Sequence, residues 1–185
     1  MPSPYLLDRQ SAVLCIVDIQ ERLAAAMAER QAVIEAARRL VVASRRLDVA
    51  IVLTEQYPKG IGPTERPLIE ALDDDYRPVE KLHFSCCRET PFEAAVAETG
   101  RRQVILCGME THVCVLATCL DLLDAGYQVH VVADAVCSRD RTHKELALAE
   151  MAQMGAVVTC TEAAVYQLLG RAGTPEFKDL LPLFK

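Results

Sequence analysis

The chain has 185 residues, 51% hydrophobic and 25% charged, the balance of a single soluble globular domain that buries roughly 70% of its unfolded surface. A formal net charge of −6 argues against nucleic acid or an anionic membrane as a standing partner, since both want a basic surface. No apolar run approaches the ~20 residues of a bilayer span, and Met1–Gln10 shows no basic-then-apolar export signal, so the expected location is the cytoplasm.

In chain order, Ala12–Asp18 (AVLCIVD) opens the series of β-rich runs, and Arg30–Leu47 follows as a helix with Val33, Ile34, Ala37, Leu40 and Val41 on one stripe. Val49–Glu55 is the second run. The stretch Gln56–Arg77 holds three prolines and two glycines and reads as loop, with a short helix at Pro67–Leu72. Val79–Phe84 is the third run. Thr90-Pro91 then starts a helix that closes at Gly100.

Gln103–Gly108 is the fourth run, and His112–Ala125 follows it as a helix apolar almost all round, ending at Gly126 and expected to be buried. Gln128–Asp134, a helix over Asp140–Met154 and Ala156–Cys160 complete the alternation. The tail Pro175–Phe184 is expected to form a last short helix against a neighbouring subunit, which makes a homo-oligomer the expected state. Apolar runs alternating with helices predict one α/β domain over residues 1–185, with a six-stranded, mainly parallel sheet between two helical layers. With the order 3-2-1-4-5-6, ligands would sit outside the carboxyl ends of the strands.

Eight cysteines invite a disulfide or metal framework, but the spacings offer none. No C-x-x-C occurs, the pair Cys86-Cys87 has no second pair at zinc-ribbon distance, and Cys15, Cys107 and Cys160 read as small hydrophobes in or beside apolar runs. Reduced thiols are expected.

Three reactive side chains fall at carboxyl ends of strands: Asp18, Lys81 and Cys114. The segment Gly108-Met109-Glu110-Thr111-His112-Val113-Cys114 ends a strand, turns, and opens a helix on a cysteine. A thiol there feels the positive end of the helix dipole, which favours thiolate, and unpaired amides of the same turn can receive an oxyanion. Asp18 could take the thiol proton or activate water, with Lys81 holding both charges. Taken singly, each residue also has a plain reading: a turn carboxylate, a solvated lysine, a buried thiol.

Together with Val17-Asp18-Ile19-Gln20, Lys81-Leu82-His83-Phe84-Ser85, Gly108-x-x-Thr111-x-x-Cys114-Val115 and Ala133-Asp134-Ala135 with Ser138, the chain resembles the isochorismatase-like cysteine hydrolases, the superfamily of nicotinamidases, N-carbamoylsarcosine amidases and isochorismatases. The likeness runs from Val13 to Leu169 and is strongest to the isochorismatase-domain group marked by Gly-Met-Glu-Thr-His-Val-Cys and a Phe177-Lys178 tail.

The resemblance implies Asp18, Lys81 and Cys114 as a catalytic triad. It also implies a cis peptide at Met109–Glu110 and an oxyanion hole from the amides of Glu110 and Cys114. Lys81 lies two strands from Asp18, about 10 Å at ~4.8 Å per strand, a gap that a long inward lysine or a strand bend has to close. Nicotinamidases bind a metal through an Asp/His cluster after the second strand. Thr54–Gly60 has no histidine, so no metal and no cofactor are expected. Isochorismate-cleaving members often lack the cysteine, so Cys114 favours attack on the carbonyl of a small-molecule substrate.

Gln20, Gln56, Tyr57, Phe84, Glu110 and His112 are the candidate substrate contacts. An ether hydrolase on the same scaffold and a non-catalytic interaction protein remain the rival readings. A nucleotide-binding domain is disfavoured, since no glycine-rich phosphate loop follows the first strand.

Overall fold

The computed structural model describes residues 5–185. Met1–Pro4, the start of the segment read for an export signal, lies outside the described residues. Six parallel strands form one sheet in the order β3-β2-β1-β4-β5-β6, the expected arrangement.

Strand β1 (Ala12–Val17) is followed by a short helix α1 (Glu21–Ala24) and the long α2 (Arg30–Arg46). Next come β2 (Ala50–Gln56), α3 (Pro58–Ile61), α4 (Arg66–Leu72) and β3 (Val79–Lys81). The second half runs α5 (Thr90–Glu98), β4 (Gln103–Met109), α6 (Leu116–Asp124), β5 (Gln128–Cys137), α7 (Arg141–Gln153), β6 (Val157–Thr159), α8 (Thr161–Leu169) and α9 (Pro175–Leu180).

The continuous apolar runs are explained by two cores. Successive strand side chains point to opposite faces, so β1 sends Leu14 and Ile16 to one side and Val13, Cys15 and Val17 to the other. Helices α2, α4, α8 and α9 cover the first face, and α5, α6 and α7 the second. Every residue of β1 and β4 is buried. No helix among the described residues is long and apolar enough to cross a membrane.

Several expectations are corrected. The third strand stops at Lys81 rather than Phe84, because the backbone beyond it is drawn off the sheet: Glu89 accepts from the amides of Leu82 and His83. The helix expected from His112 begins as a π-helical turn over Thr111–Val115. Helix α6 buries only Thr118, Cys119 and Leu122, leaving Leu116, Ala117 and Leu120 partly open. Cys160 is exposed, since it follows the short edge strand β6. Helix α8 escaped the sequence reading, although Ala164, Val165 and Leu168 form its buried stripe and Gly170 ends it.

The tail packs on its own chain. Tyr166 makes edge contacts with Phe177 and Phe184 at 6.2 and 5.9 Å, and Arg46 pairs with Asp179.

At Gly108 the chain has φ +137°, and a Cβ there would lie 2.1 Å from the Val17 carbonyl oxygen of β1. Only glycine lets β4 approach so closely, which brings the turn after β4 against the end of β1. Gly108→Ala is therefore expected to cost roughly 4 kcal/mol or more. Urea denaturation of the two proteins measures it, and a loss below about 1 kcal/mol would contradict the close approach.

His130 on β5 is 1% exposed, and burial holds its imidazole below the ordinary range. Below pH of about 6.5 the unfolded chain takes up a proton that the folded chain refuses, so this residue's contribution falls as pH drops. The urea-midpoint difference between wild type and His130→Leu should therefore shift against wild type through that range. A pH-independent difference would contradict the assignment.

Candidate active site

The site lies where the strand order reverses, between β1 and β4. Asp18 closes β1 in a left-handed conformation (φ 50°) that a short polar residue tolerates, and its side chain is fully buried. One carboxylate oxygen, Oδ1, accepts from Thr54 Oγ1 at 2.7 Å; the other, Oδ2, lies 2.7 Å from Lys81 Nζ.

The ammonium of Lys81 also donates to Gln56 Oε1 at 2.6 Å and to the carbonyls of His83 and Phe84 at 3.1 Å each. Lys81 is in register with Gln56 on β2, and its long side chain reaches beneath the end of that strand to Asp18. The two-strand gap is closed by the lysine itself.

Cys114 sits in the π-helical turn, 5% exposed, with its thiol 4.0 Å from Gln56 Oε1 and near enough to Asp18 and Lys81 to feel both charges. The Met109–Glu110 peptide bond is cis. The Glu110 carbonyl accepts from the amides of Val113 and Val115, which winds the turn.

Burial shapes the charges of this group. Desolvation raises the pKa of Asp18, while Lys81 and Thr54 oppose that rise. For Lys81, burial works against the ammonium, yet Asp18 and the neighbouring Cys86 and Cys114 hold its pKa above the ordinary value. Desolvation first, then the Asp18 charge, push the Cys114 thiol up to about 12, with Lys81 pulling the other way. A resting thiolate, expected from the helix start and the lysine, is thus replaced by a neutral thiol beside an ion pair.

The remaining candidates divide. Gln56 is in the site, between Lys81 and Cys114. Tyr57 and Phe84 border it: the Tyr57 amide donates to the Lys81 carbonyl at 3.0 Å, and both rings are more than half exposed. Gln20 is buried and braces the site from below, donating to the Gln56 and Gly62 carbonyls and accepting from the Gln56 amide. The Glu110 carboxylate turns away to Arg139, at 3.0 Å from both its amide and its Nε. His112 bonds Ser138 at 2.9 Å and stacks on His143 at 4.8 Å.

Sequence reasoning passed over Thr54, Cys86 and Glu89. Thr54 was visible as a polar residue inside an apolar run. Cys86 lies 3.7 Å from the Thr54 hydroxyl, so a second buried thiol flanks the same carboxylate network. Among the described residues, no group of three or more His, Cys, Asp and Glu is placed to hold a metal ion.

Removing one member of a fully buried ion pair leaves the other uncompensated. Lys81→Met is expected to cost about 3–5 kcal/mol, and adding Asp18→Asn to recover most of that. A double-mutant cycle in urea measures the coupling; additive losses would show that the two charges do not depend on each other.

The Isochorismatase domain model matches residues 12–163. The Bos taurus isochorismatase domain-containing protein 2 is 43% identical over 175 residues, covering 95% of this chain and 83% of the relative. A solved structure of the MAR1 ribonuclease from Caenorhabditis elegans has a TM-score of 0.91 and 38% identity, covering 97% of this chain and 92% of that one. The YcaC gene product of Escherichia coli, described as an octameric hydrolase of unknown specificity, shares the fold: TM-score 0.90, 23% identity, 99% and 92% covered. The sheet order, the site at its switch point and these likenesses agree, and the chain belongs to the isochorismatase domain family.

Proposed function

We propose that the chain is a cysteine-dependent hydrolase of a small amide or related carbonyl compound, with Cys114 as nucleophile, Asp18 as base and Lys81 as the charge between them. The observation that carries this reading is a buried thiol that shares Gln56 Oε1 with the Lys81 ammonium, itself 2.7 Å from the fully buried Asp18 carboxylate. When the thiol proton passes to Asp18, negative charge moves from carboxylate to sulfur while Lys81 stays beside both. The net charge of the buried group is unchanged, so no ion is created without a partner.

The thiolate then attacks the carbonyl carbon, and the amides of Glu110 and Cys114 would receive the oxyanion, at about 3 kcal/mol each. Collapse of the adduct expels the amine, which takes the proton from Asp18, and leaves a thioester on Cys114. Asp18 next accepts a proton from water, hydroxide adds to the thioester, and the acid departs as sulfur is reprotonated.

Tyr57, Phe84 and Gln56 are the proposed substrate contacts. A homo-oligomer completes the reading, in line with the octamer described for the Escherichia coli neighbour. The Caenorhabditis elegans neighbour bears the name of a ribonuclease. A cysteine thiol is a nucleophile suited to a carbonyl carbon, which favours that substrate class here.

The test is ammonia release from a panel of small amides by wild type and Cys114→Ala, before and after exhaustive chelation. Expected are turnover that survives chelation and a loss of at least about a thousandfold in the variant. Activity that persists without the thiol, or that needs added metal, would overturn the reading.

A further inference from the structure

The surroundings of the Lys81 ammonium exceed what an ion pair needs. Four oxygens converge on it: Asp18 Oδ2 at 2.7 Å, Gln56 Oε1 at 2.6 Å, and the His83 and Phe84 carbonyls at 3.1 Å. An ammonium has three donors. Three neutral dipoles aim their negative ends at one buried point, an arrangement that repels itself unless a cation occupies the centre.

The oxygens are held by the scaffold as well as by the lysine. Gln56 is pinned through its Nε2 to the Leu82 carbonyl at 2.9 Å and through its amide to Gln20 Oε1 at 2.7 Å. Gln20 is in turn tied to the Gly62 carbonyl at 2.6 Å. From outside, Glu89 accepts from the Leu82 and His83 amides at 2.9 and 3.1 Å, which orients the peptide units leading to both carbonyls.

We infer that these four oxygens form a preorganised monovalent-cation cage, which Lys81 fills with its own ammonium. Lys81 is thereby a fixed charge and carries no proton through the reaction, and Gln56 is the residue that positions it. The inference rests on the proposed function only in treating Asp18, Lys81 and Cys114 as one site. The cage carries a single negative charge and otherwise carbonyl-type oxygens, the ligand set that replaces the hydration shell of potassium. With the lysine tip removed, it should accept ammonium, an alkylammonium or potassium.

The experiment uses Lys81→Ala at constant ionic strength, with ammonium, n-propylammonium, potassium or tetramethylammonium chloride. Two quantities are read: the melting midpoint, and the alkylation rate of the Cys114 peptide at fixed alkaline pH. The three cations that fit are expected to raise both saturably, because a ligand of the folded state stabilises by mass action. Tetramethylammonium, too large and without donors, is not, and wild type responds to none of them.

Adding Gln56→Leu should raise the half-saturating concentration about tenfold or more, the value of one hydrogen bond to a charge. Three outcomes overturn the cage: no response to any cation, including a variant that stays unfolded in all of them; an equal response to tetramethylammonium; or half-saturation indifferent to Gln56. Neither readout needs turnover. An inactive amide panel would leave the cage standing, and a failed cage would leave amide hydrolysis standing.

Discussion

The buried pair of Asp18 and Lys81 organises this molecule. Two opposite charges without exposed side-chain surface are costly to desolvate, and they persist only where geometry and extra hydrogen bonds compensate. Much of the surrounding structure supplies that compensation. Thr54 satisfies the second carboxylate oxygen, Gln56 and two carbonyls complete the ammonium, and Gln20 and Glu89 hold those groups in turn. The loop after β2 is fixed by the same logic: Glu55 Oε1 accepts from the amide and hydroxyl of Thr64 and from the Tyr76 hydroxyl, all within 2.7 Å. Thr54, Gln20, Gln56 and Glu89, dispersed along the chain, are thus gathered around a single charge pair.

That network explains what could be read from the sequence. The alternation of apolar runs with amphipathic stretches is a local property, and it yields a parallel sheet with two helical layers. Asp18 and Cys114 are legible for the same reason, because each follows a long apolar strand. Gly108 also announces itself by ending such a strand. The partners were less legible because they depend on register between strands distant in sequence. Nothing local says that Gln56 lies opposite Lys81, or that Glu89 reaches back to the amides of Leu82 and His83. The same limit applies to Glu110, whose carboxylate is claimed by Arg139 from a different loop.

The protonation of Cys114 shows how burial can reverse a local argument. A helix start and a neighbouring lysine both favour thiolate in principle, and the pull of Lys81 is present. Removal of water and the adjacent carboxylate outweigh them, so the proton rests on sulfur. Motif-level chemistry points to a thiolate where burial favours the thiol. The difference matters to the proposed mechanism, in which a neutral thiol needs the Asp18 carboxylate as its proton acceptor.

The placement of the three groups on the sheet has a further consequence for how the molecule fails. Asp18 and Cys114 follow β1 and β4, the two central strands, buried on both faces. Lys81 ends β3, an edge strand of three residues paired on one side only. Free energies of local opening are lowest at short edges and rise towards the global value in the centre. The cation is therefore mounted on a short edge strand and the anion on one of the two central strands. Fraying of that margin of the sheet would part the lysine from Asp18 while both cores remain folded, so the charge pair is expected to open on warming before the domain does.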